Sequence, residues 1–217
     1  MLVKDLMAQP VVLITEKATV GEALELIRQH DVRHLPVVDR KQHLVGVTSE
    51  SDLLKIFPRN KHDERKTFET NLLLRTPITQ VMIPDPYHIN PHITIEEAAL
   101  LMKNHKIGCL PVIEHSKVIG LISRTDVIEA FINSLGLGKS GVRVTIPYRK
   151  KIGFLSDLVR LADKFGVLID HMVTFETEIV LKIRREKAEQ FLKELKSHGY
   201  TVTDITCIEN SVSLPCA

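Results

Sequence analysis

The chain has 217 residues, of which 44% are hydrophobic and 26% charged, as in an ordinary globular protein of one or two domains. A formal net charge of +2 and an aromatic content of 5%, with no tryptophan, argue against direct nucleic-acid binding through a basic surface or by base stacking. No apolar run reaches the ~20 residues of a membrane span, no signal peptide is evident, and the three cysteines suggest no disulfide framework. These features predict a cytoplasmic protein that does not contact a membrane.

The first part of the chain contains an internal repeat. Residues of the first copy recur 75 positions later in the second and, after one residue is lost from a turn, 74 positions later. The matched pairs include Met7 and Met82, Thr19 and Thr94, His30 and His105, Gly46 and Gly120, Ser49 and Ser123, and Asp52 and Asp126. Repeats of about 50 residues are single supersecondary units that bury their apolar faces against each other. The two copies are therefore expected to pack as a pair.

Each copy predicts the element order β-α-β-β-α. A short β-like segment leads to Thr19-Val-Gly-Glu22 in the first copy and to Thr94-Ile-Glu-Glu97 in the second, and both are capping boxes at a helix start. Apolar residues with helical spacing follow each box. Buried strands are expected at 35–38, 44–48, 110–113 and 118–122, and second helices at 50–57 and 124–133.

Both copies end a predicted strand with Gly-x-x-Ser-x-x-Asp, from Gly46 to Asp52 and from Gly120 to Asp126. Ser-x-x-Asp on its own is typical of a helix N-cap. A helix start is also a place where phosphate binds, and an acid in the first turn could accept hydrogen bonds from a ribose. The two interpretations are compatible, and recurrence at the same place in each copy favours a binding site.

These motifs and the repeat resemble a pair of CBS domains (cystathionine-β-synthase-type repeats), the Bateman module. The resemblance implies that an adenine nucleotide binds in an apolar cleft between the copies. It also implies that Asp52 and Asp126 bind the ribose, and that Ser49 and Ser123 contact the phosphate.

A phosphate-binding arginine is also implied by the resemblance. Arg33, three residues before Pro36, matches it in the first copy, whereas the second copy has Gly108 at that place. Arg124 could substitute if its side chain turns inward. We therefore expect the two sites to differ in phosphate affinity, with the charged nucleotide at the Asp52 site.

Two connecting segments separate the predicted domains. In the first, Arg59, Lys61 and Lys66 either face solvent or border the nucleotide cleft. The second, Gly136-Leu-Gly-Lys-Ser-Gly141, satisfies Gly-x-Gly-x-x-Gly, but a helix precedes it and a strand follows, the reverse of a nucleotide-binding loop. It is interpreted as a flexible linker.

From Val142 onward the pattern predicts β-α-β-β-α-β, a ferredoxin-like α+β fold. The Gly153-x-Leu155 helix entry and the Phe165-Gly-Val-Leu-Ile169 turn resemble an ACT domain, which implies side-by-side pairing and a ligand near residues 149–155. Lys150 and Lys151 do not suit an amino-acid ligand there. Amino-acid binding and a purely dimerising role both stay open.

The predicted boundaries are 1–57 for CBS repeat 1, 58–76 for a linker, 77–134 for CBS repeat 2, 135–141 for the Gly-rich linker, 142–210 for the ACT-like domain and 211–217 for a tail. This domain order is similar to that of the acetoin-utilisation protein B family. The similarity implies a non-catalytic homodimer that senses AMP, ADP, ATP or a related adenosyl ligand. It would relay the signal to a protein partner or to its ACT-like domain, in acetoin or acetyl-CoA metabolism.

Two other functions stay open, a ligand-responsive transcription cofactor and an enzyme with an unrecognised active site. No catalytic residue is predicted, because no Ser–His–Asp, paired-acid or activated-cysteine pattern is readable. The ten histidines form no metal-ligand pattern either, so neither a metal nor an obligatory cofactor is expected.

Overall fold

In the computed structural model of the chain, the described residues are 1–57, 71–137, 139–148, 151–209 and 212–215. They fall into two units, Met1–Ile128 and Glu129–Ala217. Arg59, Lys61 and Lys66 of the predicted linker and Lys150 of the predicted ligand loop lie outside the described residues. Among the described residues, no helix combines the length and the apolarity needed to cross a bilayer.

The first copy of the repeat forms a mixed sheet with helices packed on it. Its elements are β1 (Ile14–Thr15), α1 (Val20–His30), β2 (His34–Val38), β3 (Leu44–Ser49) and α2 (Glu50–Leu54). β1 and β2 are parallel, β2 and β3 are antiparallel, and β3 pairs with β4 (Ile83–Pro84), which comes from the start of the second copy. The predicted second helix is thus shorter than expected and ends at Leu54.

The second copy repeats this arrangement. It contains α3 (Ile95–His105), the antiparallel pair β5 (Cys109–Glu114) and β6 (Lys117–Ser123), and α4 (Arg124–Ser134). Its leading strand is reduced to a parallel bridge between Ile89 and Val112. The predicted α+β architecture of paired β-α-β-β-α repeats is confirmed.

The capping boxes explain why α1 and α3 begin where they do. The Thr19 amide donates to Glu22 Oε2 at 2.7 Å while the Glu22 amide donates to Thr19 Oγ1 at 3.3 Å. Thr94 and Glu97 form the same reciprocal pair at 2.8 and 3.2 Å. Each box satisfies amides that a helix start leaves without a partner.

The leading segment of each copy packs on the other copy. Ala8 bridges to Leu121 of β6, while Ile83 of β4 pairs with Val47 of β3. A methionine in each leading segment lies over a glycine of the opposite strand, so that a Cβ at that glycine would be 2.4 Å from the methionine sulfur. The two pairs are Met82 over Gly46 and Met7 over Gly120. The repeated Met and Gly positions therefore record contacts between the copies.

The second unit is a five-stranded antiparallel sheet with two helices on one face. Its elements are β7 (Gly141–Pro147), α5 (Phe154–Lys164), β8 (Ile169–Thr174), β9 (Glu178–Ile183), α6 (Ala188–Ser197), β10 (Asp204–Glu209) and β11 (Val212–Pro215). The strand order is β11-β10-β7-β9-β8. The helices bury Leu158, Phe191 and Leu195 against Val144 and Leu181 of the sheet. This is the predicted ferredoxin-like order with one strand added.

Three details of this unit depart from the sequence-based expectations. Within the predicted tail, Val212–Pro215 forms β11, which pairs with β10. The Gly-rich segment is tied to the sheet, because the Lys182 ammonium donates to the carbonyls of Gly136 and Lys139. Cys207 on β10 is disulfide-bonded, although no disulfide was expected.

Candidate functional site

A cavity of about 550 Å³ lies between the two copies in the first unit. The first copy contributes His34 and the end of β3 with the start of α2. The second copy contributes β4, the segment after it, and the residues that join α3 to β5. The lining residues are His34, Val47, Thr48, Ser49, Ser51, Asp52, Ile83, Asp85, Pro86, Tyr87, Lys106, Ile107, Gly108, Cys109 and Arg124. The cavity is within the size range of small-molecule and cofactor sites.

One side of the cavity is acidic. Ser49 is the N-cap of α2, and its hydroxyl accepts from the Asp52 amide at 3.2 Å and donates to Asp52 Oδ2 at 2.5 Å. The other carboxylate oxygen of Asp52 accepts from Lys55 Nζ at 2.7 Å. Burial alone would raise the pKa of Asp52, but the hydrogen bonds from Lys55 and Ser49 and the positive charge of Lys55 outweigh it and lower the pKa. Asp52 is therefore ionised at neutral pH.

The second copy contributes cations to the cavity wall. Arg124, the first residue of α4, donates from Nε to the Ile107 carbonyl at 2.8 Å. This bond fixes the guanidinium at the cavity wall and leaves its two terminal nitrogens without a partner among the described residues. Lys106 adds a second cation from the left-handed C-cap of α3, where its φ is 56°. The first copy thus contributes an acid to the cavity and the second copy contributes cations.

The first-turn amides of α2 are largely occupied. The Glu50 amide donates to the Arg33 carbonyl at 3.0 Å, and the Asp52 amide donates to Ser49. α2 also has only five residues. A phosphate in this cavity would therefore be held mainly by the side chains of Arg124 and Lys106.

Part of the cavity wall is apolar, formed by Val47, Ile83, Ile107 and Cys109. Burial, with a smaller contribution from the Asp52 charge, raises the pKa of the Cys109 thiol to about 12. The thiol is therefore protonated at neutral pH and is a poor nucleophile, so it serves as an apolar wall residue.

Sequence reasoning missed two ring-bearing residues of the cavity. His34 lies half-buried against Gly108, where a Cβ would be 3.0 Å from His34 Nε2. Tyr87, whose ring is stacked on His105 with centroids 4.0 Å apart, lies at the rim. Gly108 has no side chain, whereas the equivalent residue of the first copy is Arg33. This glycine was the feature of the sequence that could have indicated another side chain in this space.

A comparison with known families agrees with the repeat and with the paired fold. Residues 3–59 and 78–133, together just over half of the chain, match the CBS domain model. The chain belongs to the CBS domain family.

Similar CBS proteins come from bacteria and plants. The structure of a proposed acetoin utilization protein (AcuB) from Vibrio cholerae is 31% identical, covering 63% of this chain and 93% of that one, with a TM-score of 0.51. CBSX2 from Arabidopsis thaliana is 30% identical over 61% of this chain and 94% of that one, with a TM-score of 0.52. A structure of CBSX2 in complex with AMP is 31% identical, covering 61% of this chain and 97% of that one, with a TM-score of 0.50. The Bacillus subtilis CBS domain-containing protein YhcV is 27% identical over 66% of this chain and 92% of its own length.

The structure brings three of the six predicted site residues together. Ser49, Asp52 and Arg124 line the cavity, whereas Arg33, Ser123 and Asp126 are not among its lining residues. Arg33 is exposed. Gly108 of the second CBS repeat is equivalent to Arg33 of the first. The cavity therefore combines the Ser49–Asp52 pair of the first repeat with Gly108 of the second.

Ser123 and Asp126 reproduce the cap geometry of the first repeat. The Ser123 amide and hydroxyl donate to Asp126 Oδ2 at 2.7 and 2.8 Å, and the Asp126 amide donates back to the hydroxyl at 3.4 Å. Asp126 Oδ2 is therefore occupied by hydrogen bonds within the cap, whereas Asp126 Oδ1 has no partner among the described residues.

Proposed function

We propose that this protein binds an adenine nucleotide in the Asp52 cavity and acts as a non-catalytic, ligand-responsive regulator. The observation that carries the proposal is the polarity of the cavity. The lining combines an ionised carboxylate from the first repeat, two cations from the second and apolar side chains from both. A nucleoside phosphate offers a partner for each of these groups: a ribose diol for the carboxylate, an anionic phosphate for the cations and a flat apolar base for the apolar side chains.

The Asp52 carboxylate has room for a ribose. Its oxygens accept one hydrogen bond each from Ser49 and Lys55, and an ionised carboxylate offers about four acceptor positions. The remaining positions suit the two ribose hydroxyls, which donate. The 31% identity to CBSX2, whose structure contains AMP, supports a ligand of this class.

The phosphate is expected at Arg124. A guanidinium fixed through Nε presents its terminal nitrogens as a fork, which matches two phosphate oxygens. Lys106 adds charge without fixed geometry. The arginine implied by the family pattern is thus replaced in this cavity by one from the start of α4.

The proposal is tested by isothermal titration of AMP and adenosine. Asp52→Asn should weaken both ligands about ten- to a hundredfold, because a charge-assisted bond worth about 1.5–3 kcal/mol is lost. Arg124→Gln should weaken AMP by a similar factor and leave adenosine within about twofold. Glu96→Gln is the control, since Glu96 is an exposed acid in the first turn of α3 that does not line the cavity. Equal AMP affinity in wild type, Asp52→Asn and Arg124→Gln would overturn the proposal.

We infer a second adenosyl site at Ser123 and Asp126, with Arg33 as its phosphate-binding side chain, because the internal repeat relates these residues to the first cavity. The likeness to the Vibrio cholerae protein supports a role in acetoin metabolism. Homodimerisation, a protein partner and an ACT-type role for the second unit are proposed on the domain order, and a cytoplasmic location on the composition of the sequence.

A further inference from the structure

The sheet of the second unit has one face that its helices do not cover, and this face carries two neighbouring cations. Arg143 of β7 lies directly opposite Lys182 of β9 in the antiparallel register, so both side chains share a face. Two like charges placed directly opposite each other are destabilising. The acceptors available to each cation therefore decide whether a partner is missing.

Lys182 already has its partners. It is 4% exposed, and its ammonium donates to the carbonyls of Gly136 and Lys139. Burial lowers its pKa, Asp170 opposes that shift, and the Lys139 charge adds to it. Asp170 itself is ion-paired with Arg184 at 3.5 Å.

Arg143 has no such partner. The side chain is half-buried, and it makes no hydrogen bond or ion pair with any residue that the structure describes. A guanidinium presents five donors in a rigid fork that fits a carboxylate. Its lack of a partner next to a second cation points to an anionic ligand.

Arg143 borders an apolar concavity, while Thr206 of β10 lies directly opposite it in the sheet. A cavity of about 230 Å³ lies against Arg143 and Lys182. Its other walls are Leu135, Leu137, Val173, Phe175, Val180 and Ile208. The volume lies below the roughly 300–1,000 Å³ of sites for drug-sized ligands, so the cavity suits a smaller molecule.

We propose that this cavity binds a small monocarboxylate with a short branched apolar tail. The carboxylate accepts two hydrogen bonds from the Arg143 guanidinium, and the tail lies against Val173, Val180 and Phe175. The ligand neutralises the cation pair and covers apolar side chains, of which Phe175 is 50% exposed. This site uses none of the residues of the nucleotide cavity, so it stands independently of the proposed function.

The test uses the full-length protein with labelled valine methyl groups, titrated with 3-methylbutanoate and with the neutral amide of the same shape. We expect saturable shifts of the Val173 and Val180 methyl signals with the acid. The amide should bind at least tenfold more weakly, because it lacks the charge that Arg143 recognises. Arg143→Gln should weaken the acid about ten- to a hundredfold, while Arg143→Lys should recover part of the affinity.

Arg184→Gln is the matched control, because it removes a nearby cation that is already paired with Asp170. It should leave acid binding within about twofold. Equal binding of the acid and the amide, or binding unaffected by Arg143→Gln, would overturn the proposal. So would a concentration-dependent dimer that Phe175→Glu abolishes, since a second copy of the chain would then cover this face.

Discussion

His34 shows how pairing of the two CBS repeats creates a chemical environment that neither repeat has alone. Its imidazole is in the cavity next to Gly108 of the other repeat. Burial is the largest influence on its pKa and lowers it. Asp52 and Asp126 act in the opposite direction, and Arg33 and Arg124 in the same direction as burial, so that the pKa is lowered overall.

This lowered pKa predicts a specific pH dependence of stability. Between the pKa of folded His34 and the unfolded value of about 6.5, the unfolded chain binds a proton that the folded chain does not. The free energy of unfolding therefore has its full contribution from neutral His34 above about pH 6.5. This contribution is lost as the pH falls below that value. In urea titrations between about pH 7.5 and pH 5.5, the wild type should lose stability relative to His34→Gln.

The exposed His30 at the end of α1 provides the control for this measurement. His30→Gln should keep the wild-type pH profile. A constant stability difference between the wild type and His34→Gln across this pH range would contradict the prediction.

The site residues differ in whether a short stretch of sequence is enough to predict their role. Ser49 and Asp52 could be predicted, because Ser-x-x-Asp reports both a helix cap and an acid at the end of a strand within four residues. The roles of Lys106 and His34 in the cavity could not, and Arg124 was expected there only if its side chain turned inward, because these contacts depend on which surfaces of the two repeats meet. Only the glycine at position 108 marked that meeting place in the sequence.

Among the elements, the short leading segments bind the two repeats to each other. Ile78, in the segment before β4, belongs to the second repeat by sequence but is fully buried in the core of the first. Its amide donates to the Ala18 carbonyl at 2.8 Å. Val3, its equivalent 75 positions earlier, is fully buried, and its amide donates to the Ile93 carbonyl of the second repeat at 3.0 Å.

We therefore expect Ile78→Ala to destabilise the protein by about 2–5 kcal/mol, the range for truncating a buried isoleucine. Native-state hydrogen exchange should show the larger loss of protection in the first repeat, around α1, although the substitution lies in the second repeat's sequence.

Val3→Ala is the reciprocal variant and should reduce protection mainly around α3. Loss of protection confined to the repeat that contains each substitution would show that the leading segments do not stabilise the opposite repeat.

Long helices and buried strands could be predicted because capping boxes and apolar periodicity act over ten or more residues. The two-residue strands β1 and β4 are too short to show periodicity, and the pairing of β4 depends on β3 of the opposite repeat. β11 has four residues, the last of which is a proline. Four residues are too few to distinguish a strand from an irregular tail by their sequence pattern.

At the scale of the whole molecule, each unit has its own core. The first repeat is centred on residues such as Leu35 and Leu53, and the second unit on Phe191 and Leu181. The boundary between the units, after Ile128, falls within α4. Sequence reasoning placed it at the end of the helix, because the helical pattern continues without a break across residue 128.

Because the residues that line the nucleotide cavity all belong to the first unit, damage to the second core should spare nucleotide binding. Phe191 is fully buried there, and Phe191→Ala should cost that unit about 3–5 kcal/mol, since a large cavity replaces the ring. AMP affinity measured by titration calorimetry should nevertheless stay within about twofold of the wild type. Hydrogen exchange on the same sample should show lost protection in β7 and β9 and unchanged protection in β2 and β3. A tenfold loss of AMP affinity in this variant would mean that the sheet contributes to the binding-competent state, because a ligand responds only to differences between the states it can bind.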